Sequence, residues 1–135
     1  MNKIHWNLIK ILVADDDPGI LHFFSKIIRK LGCMGCCVSN GKEALEMLES
    51  YRFDLCFLDI FMVEMGGIEA TIAIREQYDK FLPIVGMSAS VTDDVRKKCL
   101  KIGMNMVVSK PVSAENVKEF VVRYVFKEVE KESAL

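Results

Sequence analysis

The sequence predicts a doubly wound α/β fold, five parallel strands with helices on both faces, and three observations carry that prediction. Apolar strand-like runs and amphipathic helix-like segments alternate from one end of the chain to the other. No internal repeat, low-complexity tract or Pro/Gly/Ser linker interrupts them, and 135 residues make one domain of ordinary size. The run Leu55, Cys56, Phe57, Leu58 is apolar without a break, as central parallel strands buried on both faces are. Right-handed crossovers then place helices on either side of the sheet, and the expected strand order is 2-1-3-4-5. Ligands of such a sheet bind beyond the carboxyl ends of the strands, in the crevice between the first and the third.

The first strand is the run Ile9 to Ala14, which ends abruptly in Asp15, Asp16, Asp17 and Pro18. Pro18 suits the first turn of a helix. Ile20, Phe23, Phe24, Ile27, Ile28 and Leu31 follow at helical spacing, and Gly32 stops them. A short strand over Cys36 to Ser39 leads through Asn40 and Gly41 into a second helix with Ala44, Leu45 and Leu48, running to about Ser50. The third strand closes on a carboxylate, Asp59. A loop containing Gly66 and Gly67 opens a third helix carrying Ile68, Ile72 and Ile74, which ends before Pro83. Ile84 to Met87 form the fourth strand and lead into Ser88. Thr92, Asp93 and Asp94 begin a fourth helix that runs through Val95, Cys99 and Ile102 to Gly103. Met106, Val107 and Val108 make the fifth strand, followed by Ser109, Lys110 and Pro111. The last helix sets Val117, Phe120, Val121, Tyr124 and Val125 on one side, and the charged tail from Lys127 to Leu135 is expected to fray.

Composition narrows the function classes. Hydrophobic residues at 51% and charged residues at 27% describe a soluble globular protein and not a disordered one. A net charge of −1, from 18 basic and 19 acidic residues, lacks the electrostatic footprint of a nucleic-acid binder. Neither a leader nor a membrane span is expected, so the chain reads as cytoplasmic. Five cysteines without a secretion signal argue against a disulfide framework. Cys33 and Cys36 form a CxxC, but without a second one or a histidine at ligand spacing they read as small hydrophobes around a strand.

The polar residues are not scattered, because Asp15 and Asp16, Asp59, Ser88 and Lys110 each stand just after the last apolar residue of a different strand. All are expected to meet at one sheet edge. Three gathered carboxylates repel one another unless a cation sits among them. With oxygen ligands alone the cation is a hard one, and Mg²⁺ with retained waters and a phosphate suits the set. Lys110 supplies a fixed positive charge and Ser88 a hydroxyl, the groups needed to hold further oxygens of a transferring phosphoryl group. Asp59, on a central strand, is left as the nucleophile, and a carboxylate attacking phosphorus gives an acyl phosphate.

The strings ILVADDDPG, FDLCFLDIFMVEMGGIEA, PIVGMSAS and SKP, in this order, resemble the response-regulator receiver domain over about Lys10 to Val125. The resemblance implies a CheY-like, flavodoxin-like fold and Asp59 as phosphoacceptor, with a histidine kinase or histidine phosphotransfer protein as donor. It implies that Asp16 binds Mg²⁺ directly, that Asp15 assists mostly through water, and that the backbone carbonyl of Phe61 is a further ligand. It also assigns Ser88 as the switch hydroxyl and Lys110 as the site lysine. The expected division is an extension over 1–9, a receiver over 10–126 and a charged tail over 127–135. No output domain is expected within the chain, so its output is a protein contact or the draining of phosphate from a relay.

Departures from the family pattern bear on the switch. Val63 stands where the acceptor loop usually has proline, and Gly66 where it often has aspartate. Val107 replaces an aromatic that swings inward in many receivers, which predicts a muted or differently carried response. Phe61 and Ser90, each two residues beyond a site residue, are candidates for setting the lifetime of the acyl phosphate. Two alternatives use the same residues. A haloacid-dehalogenase-type phosphatase expects its nucleophile at Asp15, but lacks its usual hydroxyl at Gly19 and its cap. A receiver-shaped interaction module that works without phosphorylation is suggested by Val107 and Val63. The basic residues Arg96, Lys97, Lys98 and Lys101 read as a solvated helix face, and His22 as an ordinary helix residue.

Overall fold

A computed structural model describes residues 5–126, so the tail over 127–135 and the first four residues of the extension lie outside the described residues. After a short 3₁₀ turn (Trp6–Leu8), strands and helices alternate: β1 (Lys10–Ala14), α1 (Pro18–Leu31), β2 (Met34–Val38), α2 (Gly41–Ser50), β3 (Leu55–Asp59), α3 (Gly67–Ala73), β4 (Ile84–Ser88), α4 (Asp93–Lys101), β5 (Met106–Ser109) and α5 (Ala114–Val121). Both α3 and α5 continue as a π-helical turn, Ile74–Tyr78 and Val122–Phe126. The sheet is parallel throughout and its order is β2-β1-β3-β4-β5, as expected.

Strand periodicity divides the core into two layers. Ile11, Val13, Leu55, Phe57, Val85 and Met87 point toward α1 and α5, where Phe24, Ile28, Val117 and Phe120 meet them. Leu12, Ala14, Cys56, Leu58, Ile84 and Val107 point the other way, toward α2, α3 and α4. Every residue of β3 is buried, which is why its sequence shows no alternation.

Helix ends follow local chemistry. Asp17 caps α1 by accepting from the Gly19 amide, Pro18 occupies its first turn, and Gly32 closes it at φ 82°. Asn40 caps α2 and Thr92 caps α4 through their side chains. Ser113 and Asn116 form a reciprocal capping box on α5.

Several sequence expectations shift. The second strand begins two residues earlier than Cys36 and ends at Val38, because this edge strand is only half buried and carries little apolar signal. On α3 it is Ala70 and Thr71 that face the core, joined by Ile74 at the start of the π-helical turn, whereas Ile72 is 38% exposed. Small side chains let α3 lie close to the sheet, and an apolar count overlooks them. Phe23, one of the apolar residues at helical spacing on α1, is exposed. Cys33 packs into one core layer and Cys36 into the other, so the CxxC pair straddles the sheet and cannot share a metal. Arg96 is not merely solvated, since its guanidinium donates to the Val107 carbonyl at 3.1 Å. His22 lies exposed on α1.

Candidate functional site

The carboxyl ends of four strands deliver the polar residues to one edge. Asp15 follows β1, Asp59 ends β3, Ser88 ends β4 and Lys110 follows β5. Backbone bonds fix these ends: the Asp15 amide donates to Val38 O at 3.1 Å, the Ile60 amide to Met87 O at 2.9 Å and the Lys110 amide to Ser88 O at 2.8 Å. Each side chain therefore leaves a hydrogen-bonded ladder and not a free loop.

Carboxylate oxygens of Asp15, Asp16 and Asp59 all lie within 4.8 Å of one another. Asp15 and Asp59 are buried and Asp16 is exposed. Lys110 reaches between them, its Nζ 2.8 Å from Asp15 Oδ2 and 3.0 Å from Asp59 Oδ2. One ammonium against three carboxylates leaves two formal negative charges in the cluster.

Each oxygen has a different situation. Asp15 Oδ1 accepts from the Asp17 amide at 2.9 Å. Asp15 Oδ2 is buried and pairs with the Lys110 ammonium at 2.8 Å, and no second donor reaches it. Its remaining lone-pair site can face a second cation. Asp59 Oδ2 takes a hydrogen bond from Lys110, and Asp59 Oδ1 takes a longer one, 3.3 Å, from the Phe61 amide. Burial pushes the Asp59 carboxyl above its ordinary range; the Lys110 bond opposes this and the neighbouring Asp15 charge adds to it. For Lys110, burial works against the charge, but Asp15 and Asp59 override it and leave its pKa raised. The donor set, all oxygen with a two-charge deficit, fits a hard divalent ion.

The remaining candidates are nearby in different ways. Ser88 is buried, and its hydroxyl donates to Ser90 O at 3.0 Å and accepts from the Ser90 amide at 3.3 Å. Ser90 thus touches the site through its backbone. The Phe61 side chain is 65% exposed, while its amide faces Asp59. Val107 lies in the core layer beneath α4. Asp17, third in the acidic run, is spent on capping α1.

Sequence reasoning overlooked the support of the loop between β3 and α3. The Gly41 amide donates to Met65 O at 2.8 Å, Met65 N donates to Val63 O at 2.9 Å, and Gly67 N donates to Ile60 O at 3.0 Å. Glu64 adopts φ 69° between them. The loop that lacks a proline is tied by backbone bonds instead. The only signal for this in the sequence is a glycine placed directly after the helix cap Asn40.

The chain resembles solved receiver structures along most of its length. It is 26% identical to the receiver domain of a sensor histidine kinase from Pseudomonas aeruginosa, with a TM-score of 0.78, covering 86% of this chain and 96% of that one. That structure has a magnesium ion coordinated in its active-site cleft. Likeness to the chemotaxis response regulator CheY4 of Vibrio cholerae is similar, with 26% identity, a TM-score of 0.81, and 87% and 99% of the two chains covered. Among curated relatives, it is 33% identical over 115 residues to Transcription factor SKN7 of Saccharomyces cerevisiae, covering 85% of this chain and 18% of that protein. It is also 33% identical over 137 residues to Histidine kinase 3 of Arabidopsis thaliana, covering 85% of this chain and 13% of that protein. The chain thus spans less than a fifth of the length of these relatives. Among the described residues, no helix is long and apolar enough to cross a membrane. The profile of the response regulator receiver domain matches residues 11–122, nearly all of the described fold, and the chain belongs to that family.

Proposed function

We propose that this receiver takes a phosphoryl group from a phosphohistidine onto Asp59 and signals through protein contacts. One observation carries the reading: three carboxylates and one lysine, delivered by the ends of three strands, β1, β3 and β5, converge with two negative charges uncompensated. Asp15, Asp16, Asp59 and the backbone carbonyl of Phe61 are the groups assigned to hold Mg²⁺. The ion, when bound, supplies charge neutralisation for the approach of an anionic phosphoryl group to an anionic acceptor.

The chain's own residues do the rest. An Asp59 oxygen bonds to phosphorus as the P–N bond to the donor imidazole breaks, leaving a neutral ring on the donor once it is protonated. Lys110 is assigned to move its hydrogen bond from the carboxylate to a phosphoryl oxygen, and the Ser88 hydroxyl to leave Ser90 for another. Histidine kinases among the relatives support a histidine kinase or histidine phosphotransfer protein as donor. The functional unit on this reading is 10–126, preceded by an extension over 1–9 and followed by a tail over 127–135, acting in the cytoplasm as a signalling module and not as a dedicated enzyme.

The test is transfer from a radiolabelled phosphohistidine protein in the presence of Mg²⁺. Wild type is expected to acquire acid-stable, base-labile label, Asp59→Asn none, and chelation of Mg²⁺ is expected to stop transfer. Label on Asp59→Asn equal to that on wild type overturns the reading.

A further inference from the structure

We propose that Gly41 is a positioning residue for the phosphoacceptor site: its N–H, at the first turn of α2, holds the β3–α3 loop so that the Phe61 backbone faces Asp59. This rests on the assignment of Asp59 and the Phe61 carbonyl made above.

The loop from Ile60 to Gly66 leaves Asp59 and must present Phe61 to the site while turning back into α3. Its near end is set by close backbone approach. A Cβ on Gly66 would lie 2.5 Å from Ile60 O, and one on Gly67 2.6 Å from Asp59 O, so only glycine lets α3 start this close to the acceptor strand. At its far end, Glu64 sits at φ 69°, an uncommon conformation for glutamate that needs support from its surroundings. That support comes from a different element. The Gly41 amide donates to Met65 O at 2.8 Å, and the bond joins α2 to the residue after Glu64.

The donor is itself built in. Asn40 caps α2 by accepting from the Glu43 amide at 2.9 Å, and the Glu43 carboxylate accepts from the Ser39 amide at 2.8 Å. These two bonds hold the β2–α2 turn and so orient the free N–H at the first helical position. Gly41 is buried against the loop: a Cβ there would lie 2.8 Å from both Met65 Cγ and Met65 O, and 3.0 Å from Ala70 Cβ. The carbonyl cannot turn aside as a flexible side chain can. Any side chain at position 41 therefore pushes the loop away from α2, and the displacement is passed along the chain to Phe61.

The experiment compares Gly41→Ala with Gly103→Ala. Gly103 is at φ 118° and its Cβ would meet Arg75, so alanine there disturbs the fold at the opposite edge of the sheet. Two quantities are read in folded protein: the amide resonance of Phe61 without metal, and the affinity for Mg²⁺ by titration of amide shifts. Gly41→Ala is expected to move the Phe61 resonance and weaken Mg²⁺ binding by roughly tenfold or more, the size of effect that lost outer support has on metal sites. Gly103→Ala is expected to lower the melting temperature and leave both quantities at wild-type values. Wild-type values in folded Gly41→Ala, or equal losses in both variants, overturn the proposal. If wild type itself binds no Mg²⁺, the assignment of the site fails, and the Phe61 resonance still decides the role of Gly41. Should Gly41→Ala not fold, a backbone ester carrying glycolate at position 41 removes the donor without adding a side-chain atom, and the same two readings apply.

Discussion

The two edges of the sheet use the same residue types for opposite purposes. At the amino edge, acidic and amide side chains each satisfy backbone donors: Asp54 accepts from the Lys10 amide, Asp79 from the Phe81 and Leu82 amides, and Asn105 from the Ile84 amide. Arg75 gives its guanidinium to the carbonyls of Gly103 and Asp79. At the carboxyl edge, Asp15 and Asp59 each accept one backbone amide too, but Asp15, Asp16 and Asp59 also turn toward one another, and a single lysine pairs with Asp15 and Asp59. Burial is also inverted, since the carboxyl edge hides charged groups while Phe81 at the amino edge is 84% exposed. A group that hydrogen-bonds the backbone contributes to the fold. Carboxylates gathered and buried against one another cost stability, and that cost marks the edge as the one shaped by chemistry.

The strongest way to break the comparison is to remove the shared cation. Lys110→Ala strands two buried carboxylates, and loss of one partner from a buried pair costs about 3–5 kcal/mol. Urea unfolding of the metal-free variant is expected to show that loss, with part of it recovered on adding Mg²⁺. At the other edge, Asn105→Ala leaves the Ile84 amide without its side-chain acceptor and takes one partner from Arg75, for about 1–3 kcal/mol. That loss is expected to be the same with and without Mg²⁺; a Mg²⁺-dependent difference erases the distinction between the edges.

A finer test lies within the acidic run. Asp17 is a cap, so Asp17→Ala should cost about 1 kcal/mol of stability and leave Mg²⁺ affinity unchanged, as calorimetry would show. The smallest effect concerns a thiol. Burial, with the Asp54 charge adding to it, pushes Cys33 up to about 11 from the ordinary 9.0. A raised pKa means the folded chain holds its proton more tightly, so this contribution to stability is complete below pH 9.0 and lost as pH rises through about 11. Alkylation of Cys33, followed by peptide mass mapping, is expected to keep accelerating above pH 9.0 in the folded protein but to level off near it in urea.

Most of the site was readable because parallel strands end where their apolar runs end. Asp15, Asp59, Ser88 and Lys110 each follow such a run, and parallel pairing carries all four ends to one edge. Boundaries were weaker where burial is partial, as on β2, or where small residues pack, as with Ala70 and Thr71 on α3. The distinct duties of three adjacent aspartates were hidden too, since composition does not separate a cap from an oxygen facing Lys110.

The order of residues alone determined the alternation of elements and the identity of the converging polar groups, because these depend on neighbours a few positions apart and on strand polarity. Only the tertiary structure decided that Asp15 Oδ2 has Lys110 as its one partner, that the Ser88 hydroxyl is held by Ser90, and that the Gly41 amide bonds to Met65 in the loop after Asp59. Those facts are distances between segments remote in sequence or directions of single bonds. No local propensity encodes them, because they arise when separately stable pieces are packed together.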